Sequence, residues 1–224
     1  VTVAAVLQAR ELYRFFHAGP EEVLALRGVT LAVRAGELVA VVGPSGSGKS
    51  TLLGCLAGLD DPDGGVVWVA GRRVSRVPER ERARLRAGTI GVLLQSGNLI
   101  EHLSVAQNMA VAQAAAGRRA RAADRAELLD RLGLAGRADA VPATLSGGEA
   151  ARAGLAVALA NQPAVLLADE PTGELDSATE AEVAALLREQ ADRHGTAVLA
   201  VTHSAGLAAV ADRVLALHDG RLVS

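Results

Sequence analysis

Leu38-Val39-Ala40-Val41-Val42-Gly43-Pro44-Ser45-Gly46-Ser47-Gly48-Lys49-Ser50-Thr51 joins an unbroken apolar run to a glycine-rich loop. A short run with no polar face predicts a central strand of a parallel sheet, covered on both sides. The loop has the spacing GxxxxGK[ST], in which glycines let backbone N–H groups curl around a phosphate. Lys49 is the single lysine among 23 lysines and arginines. A chain that otherwise uses arginine keeps here a compact ammonium on a flexible stem, which a planar guanidinium does not replace. By the same spacing Lys49 reaches the β and γ phosphates and Ser50 binds Mg²⁺. Ser50 to Leu59 reads as a helix, so the anion sits at a helix N-terminus, where unpaired N–H groups and the macrodipole favour negative charge.

Composition narrows the partners. A chain of 224 residues forms one large domain or a core with a subdomain. A formal net charge of −2, without aromatic and basic residues interleaved, argues against direct nucleic-acid binding. One cysteine, Cys55, excludes an internal disulfide and is expected to pack as a small apolar residue. No apolar stretch approaches the roughly 20 residues that span a bilayer. No signal peptide is evident.

Outward from the loop, residues 1–37 and Val66 to Val69 read as short strands separated by turns, with Asp61-Pro62-Asp63-Gly64-Gly65 a strong turn signal. Trp68 is expected as a strand residue. The seven arginines between Gly71 and Arg86, mixed with Glu79 and Glu81, predict a solvated helix face. Thr89 to Leu94 is another buried strand, ending at Gln95. Leu103 to about Leu134 is alanine-rich and helical in period, interrupted by Gly117. Ala164 to Ala168 and Thr196 to Thr202 are further strands flanking a helix over 177–194. Val214 to Leu217, a turn at Asp219-Gly220 and Arg221 to Val223 form a closing hairpin. Such alternation implies a mostly parallel sheet with ligands at the strand carboxyl ends.

One of those strands, Val165-Leu166-Leu167-Ala168, runs into Asp169-Glu170. In a nucleotide site adjacent carboxylates divide the work: Asp169 orders the Mg²⁺ shell, and Glu170 polarises a water for attack on the γ-phosphate. Phosphoryl transfer needs mainly positioning and charge neutralisation, so few groups suffice.

Leu145-Ser146-Gly147-Gly148-Glu149 lies between loop and carboxylates. With it the whole chain resembles an ATP-binding cassette (ABC) ATPase, whose signature is LSGGQ. The resemblance implies one domain over 1–224: an α/β P-loop NTPase core with a mostly parallel sheet, an antiparallel β part at about 1–37 and 64–75, and a helical subdomain at about 96–160. It implies ATP with Mg²⁺, and a head-to-tail pair in which Ser146, Gly147 and Gly148 of one copy close on the γ-phosphate held by Gly43 to Thr51 of the other. Gln95 matches the glutamine that touches Mg²⁺ or the attacking water, His203 the switch histidine at the γ-phosphate, and Asp176 the D-loop aspartate that reaches across the pair. Phe16 falls where the family stacks an aromatic on adenine; Tyr13 and Phe15 are close by, and packing beneath the first strand is the competing assignment. His17, His102, His194 and His218 receive no role.

Several positions depart from the family pattern. Glu149 replaces the commonest glutamine, Ala150 and Ala151 are blander than usual while Arg152 matches, Gly173-Glu174 replaces serine-alanine, and Val157 stands for an arginine. Ser146 with Glu149 also spells the S-x-x-E capping box, which would hold the glycine N–H groups ready.

Within the family, the Ala168 to Gly173 string and Gly97-Asn98-Leu99-Ile100 resemble the lipoprotein-release and macrolide-export type. That type implies an integral-membrane permease subunit docking near Asn98 to Asn108, a location at the cytoplasmic face of the membrane, and a substrate that never touches this chain. A soluble or regulatory ABC ATPase of the cell-division, DNA-repair or translation type is the alternative. The coiled-coil insertion and second cassette of the latter two are absent. A P-loop kinase would have no use for Ser146-Gly147-Gly148.

Overall fold

The computed structural model describes residues 5–18, 21–118, 122–173 and 175–223. Among these residues, ten strands and seven helices follow in the order β1 (Ala5–Ala18), β2 (Glu21–Arg34), β3 (Leu38–Val42), α1 (Lys49–Ala57), β4 (Gly64–Val69), β5 (Arg72–Arg73), α2 (Glu79–Thr89) and β6 (Ile90–Leu93). Then come α3 (Val105–Ala115), α4 (Ala122–Arg131), a 3-10 turn (Pro142–Thr144), α5 (Gly147–Leu159), β7 (Val165–Asp169) and α6 (Ser177–His194). β8 (Ala197–Val201), α7 (Ala205–Ala209), β9 (Arg213–His218) and β10 (Arg221–Val223) follow.

The central sheet has the order β10-β9-β3-β8-β7-β6, parallel from β9 to β6, with β10 antiparallel to β9. β3 sits in its middle, as its apolar run predicts. Strand side chains alternate between two apolar layers. Val39, Val41, Val165, Leu167, Leu199 and Val201 face α1 and the antiparallel strands. Leu38, Leu166, Ala168, Val198 and Ala200 face Met109, Leu129, Leu155 and Leu187 of the helical side.

The amino-terminal third differs from the expected short strands. β1 and β2 are each fourteen residues long and pair antiparallel in a sheet of order β2-β1-β4-β5. The polar residues that read as turns are absorbed as bulges: the register shifts between Ala9 and Leu12, where Glu11 has φ 49°. Opposite it a Cβ on Gly65 would lie 2.2 Å from the Glu11 carbonyl oxygen, so only glycine fits there.

The arginine run is only partly the solvated helix face expected of it. Arg72 and Arg73 form an edge strand, and α2 begins at Glu79. Arg82 turns inward to pair with Asp61 and Glu79, and Arg86 pairs with Glu79 and donates to the Gly58 carbonyl. Acidic residues left by the preceding turn supply partners that charge count alone does not reveal.

Candidate active site

The phosphate loop is held from behind by main chain. A Cβ on Gly43 would lie 2.1 Å from the Leu217 carbonyl oxygen, and one on Gly48 2.4 Å from that of Ala25. The Gly220 N–H donates to the Ser47 carbonyl (3.0 Å) and the Arg27 N–H to that of Gly220 (2.8 Å), so the β9–β10 turn and β2 fix the loop together. The sequence marks Asp219-Gly220 as a turn but not for this task, because its long separation from Ser47 leaves no local signal.

On its open side the loop is bare. Gly46 and Gly48 have φ of 78° and 100°, α1 has no side-chain cap, and no acidic residue occupies its first turn. The leading N–H groups of α1 therefore keep capacity for an anion. A cavity of about 350 Å³ along this edge is lined by Phe16, Val23, Ala25, Gly46, Gly48 to Thr51 and Gly220, among others. Phe16 is exposed and carries the Arg14 guanidinium 4.8 Å over its ring. Tyr13 instead packs its ring against Gly28 and Gly64, so of the three neighbouring aromatics Phe16 lines the cavity.

A second cavity, of about 400 Å³, shares Gly46, Lys49 and Ser50 with the first and adds Ser45, Gln95, Asp169, Glu170, Gly173 and His203. Three strand ends deliver these groups: β6 leads to Gln95, β7 to Asp169 and Glu170, and β8 to His203. Glu170 leaves the strand with φ 46°, a left-handed conformation that is rare for its type. Its N–H still donates to the Val201 carbonyl, so the turn is tied to β8. The His203 N–H donates to Glu170 Oε2 (3.1 Å), and His203 Nε2 lies 3.4 Å from Glu170 Oε1.

Lys49 is 7% exposed and donates to the carbonyls of Gly43 (2.8 Å) and Pro44 (3.0 Å), with His203 Nε2 at 3.2 Å. An ammonium can only donate, which assigns Nε2 as the acceptor in that contact. The oxygen donors Ser50, Gln95 and Asp169 on one cavity suit a hard cation such as Mg²⁺. Among the described residues no group of three or more His, Cys, Asp and Glu could hold a metal, so a cation here would take most of its shell from phosphate and water.

Ser146, Gly147, Gly148 and Asp176 line neither cavity. Ser146 caps α5: its Oγ accepts from the Glu149 N–H (3.2 Å), and Glu149 Oε2 accepts from the Ser146 N–H (2.9 Å), the capping box the sequence spells. Glu149 Oε1 accepts from Arg137 Nε at 2.7 Å. The Ser146 N–H and then the Arg137 guanidinium hold this carboxyl below the usual range. Gly147 is open, whereas a Cβ on Gly148 would lie 2.6 Å from the Thr179 methyl. Asp176 caps α6, accepting from Thr179 Oγ1 (2.7 Å) and from the Ala178 and Thr179 N–H groups (both 3.1 Å). Those hydrogen bonds, that of the Thr179 hydroxyl first, keep its pKa low. Neither Arg137 nor Thr179 was signalled by a motif, and Glu174 lies outside the described residues.

A family model described as ABC transporter matches residues 26–173. The chain is 43% identical over 222 residues to the lipoprotein-releasing system ATP-binding protein LolD of Pseudomonas fluorescens, covering 98% of each. It is 45% identical over 223 residues to the macrolide export ATP-binding/permease protein MacB of Salmonella typhimurium, covering 99% of this chain but only 34% of that protein. Among solved structures, a dimeric ATP-binding cassette in a post-hydrolysis state with ADP and Pi superposes with TM-score 0.90 at 33% identity, covering 97% of each chain.

Proposed function

The chain belongs to the ABC transporter family, and on that premise we propose that it is the ATP-hydrolysing subunit of a transporter, working as a pair of copies on a separate membrane subunit. One observation carries the paired reading: the loop cavity gathers Lys49, Glu170 and His203, while the capped Ser146–Gly148 edge lies outside it. That edge is a helix start, where N–H groups favour an anion, and among the described residues it lines neither cavity of its own chain. A second copy facing the first supplies the missing side, as the dimeric relative with 33% identity suggests.

Each residue then has a task. Gly43 to Thr51 cradle the phosphates, Lys49 leaves its carbonyl partners for the β and γ phosphates, and Phe16 offers its ring to adenine. Glu170 orients and deprotonates the attacking water, and His203 steadies both that carboxylate and the γ-phosphate. Ser146, Gly147 and Gly148 donate to the γ-phosphate of the partner copy, and Asp176 holds the start of α6 at the seam. Mg²⁺, held by Ser50, Asp169 and Gln95, would neutralise charge on the β and γ phosphates.

We place the chain at the cytoplasmic face of a membrane, against a permease subunit that docks at the helical part (about 96–160) near Asn98 to Asn108. The antiparallel strands (about 1–37 and 64–75) and the P-loop core complete one domain. The names of the relatives, a lipoprotein-releasing system and a macrolide exporter with its own permease, support that partner and a transport role over the soluble alternative. No described helix is long and apolar enough to cross a membrane. The test is Glu170→Gln with saturating ATP and Mg²⁺, measured by light scattering. The expected result is a dimer that hydrolyses little ATP and dissociates on exchange into ADP. A monomer under those conditions, even with the membrane subunit supplied, overturns the proposal.

A further inference from the structure

Glu149 places a carboxylate at the edge that, on the paired-site reading, meets a triphosphate. Its cap needs only one of its two oxygens: Oε2 takes the Ser146 N–H. The other, Oε1, is covered by Arg137 Nε at 2.7 Å, and the glutamate side chain is 18% exposed beneath an arginine that is 47% exposed. The arginine backbone is itself pinned in the loop after α4, its N–H donating to the Leu134 carbonyl and its carbonyl accepting from the Ala140 N–H. The guanidinium is thus aimed by the fold, and among the described residues its two Nη groups show no other hydrogen bond. A glutamine at 149 could offer the same amide oxygen to Ser146 N–H with no charge to cancel.

We propose that Arg137 is a positioning residue for the signature edge: it neutralises the Glu149 carboxylate so that the partner copy's triphosphate can approach the Ser146 hydroxyl and the Gly147 and Gly148 amides, an assignment that rests on the paired-site reading. In the separate chain this half-exposed ion pair contributes little. On pairing it loses water, and the charge of an uncovered carboxylate is then felt directly by the phosphates.

The test combines ATPase kinetics with ATP titration of dimerisation in the Glu170→Gln background. Arg137→Ala is expected to raise both KM for ATP and the ATP concentration needed for pairing about five- to tenfold, with kcat and melting temperature little changed. Arg137→Lys should keep most of the wild-type behaviour. Adding Glu149→Gln to Arg137→Ala should bring both quantities back to within about twofold of Glu149→Gln alone. A double variant as impaired as Arg137→Ala, or an Arg137→Ala chain with wild-type KM, overturns the proposal. A Glu170→Gln parent that stays monomeric in ATP sinks the paired-site reading and this proposal with it, whereas a parent that pairs isolates the role of Arg137.

Discussion

Lys49 Nζ and His203 Nε2 lie 3.2 Å apart, joining the first residue of α1 to the segment just after β8. With the Gly43 and Pro44 carbonyls, this contact gives each ammonium proton an acceptor inside the protein. On the proposed reading, a nucleotide draws the lysine away from all three, and His203 is then released toward the same phosphate while its main-chain N–H stays on Glu170.

His203→Ala should therefore lower kcat about a hundredfold, the scale of a group acting in proton transfer or its positioning. Its ATP affinity should change little, because the cradle is built without it. Lys49→Ala should lose nucleotide binding itself. Equilibrium binding of a fluorescent ATP analogue separates the two, and equal loss of affinity in both would contradict this division.

Gly148→Ala drives a methyl group into Thr179, whose Cγ2 lies 2.6 Å from the new atom. Overpacking of that kind costs about 1–3 kcal/mol, and here it would also displace the amide edge from the start of α6. ATPase activity should fall at least tenfold, a drop of about 1.4 kcal/mol in transition-state stabilisation. Thr179→Ser removes the offending methyl while keeping the hydroxyl on Asp176, so Gly148→Ala/Thr179→Ser should recover much of the loss. No recovery would mean that the glycine is needed for more than this contact.

Cys55 is fully buried in α1, and burial pushes its thiol up to about 12. A raised pKa keeps it protonated, and so a poor nucleophile, at pH 8. Iodoacetamide should label it only when the chain unfolds, and ATP should slow that labelling. Rapid labelling of the native protein would show that α1 opens locally.

Asp212 Oδ2 accepts from the Leu38 N–H (2.8 Å) and from Arg188 (2.6 Å), clamping the start of β3. Burial alone raises its pKa, but the Arg188 guanidinium and the Leu38 N–H more than reverse this and leave it below the ordinary carboxylate value. A folded-state pKa below the unfolded one stabilises above about pH 4 and loses that contribution as pH falls through the folded value. Asp212→Asn should cost about 1–2 kcal/mol at pH 7, the lower end because the carboxylate is half exposed. Urea titrations should show the gap to wild type closing below about pH 4; a gap independent of pH would refute the assignment.

The strand Leu38 to Val42, the loop and α1 were legible because each signal is local: an apolar run, glycine spacing, a helix start. The strand ends at Gln95, Asp169 and His203 followed from similar runs ending in a polar residue, and these groups do meet on one cavity. The length of β1 and β2 was not legible, since Glu11 adopts its left-handed bulge only against Gly65 of another strand. Thr179 beside Gly148 depends on how α5 meets α6, and Gly220 behind Ser47 on closure of the sheet. Arg137 looked like any loop arginine because its partner is twelve positions away.

With arginine at every other basic position, the chain offers acylating reagents a lone side-chain amine, that of Lys49, and it lies almost out of reach of solvent. Surface tethering through lysines would therefore find no ordinary handle. On the proposed reading, acylation of Lys49 itself is a readout of occupancy: modified when the cradle is empty and breathing, silent when it is filled.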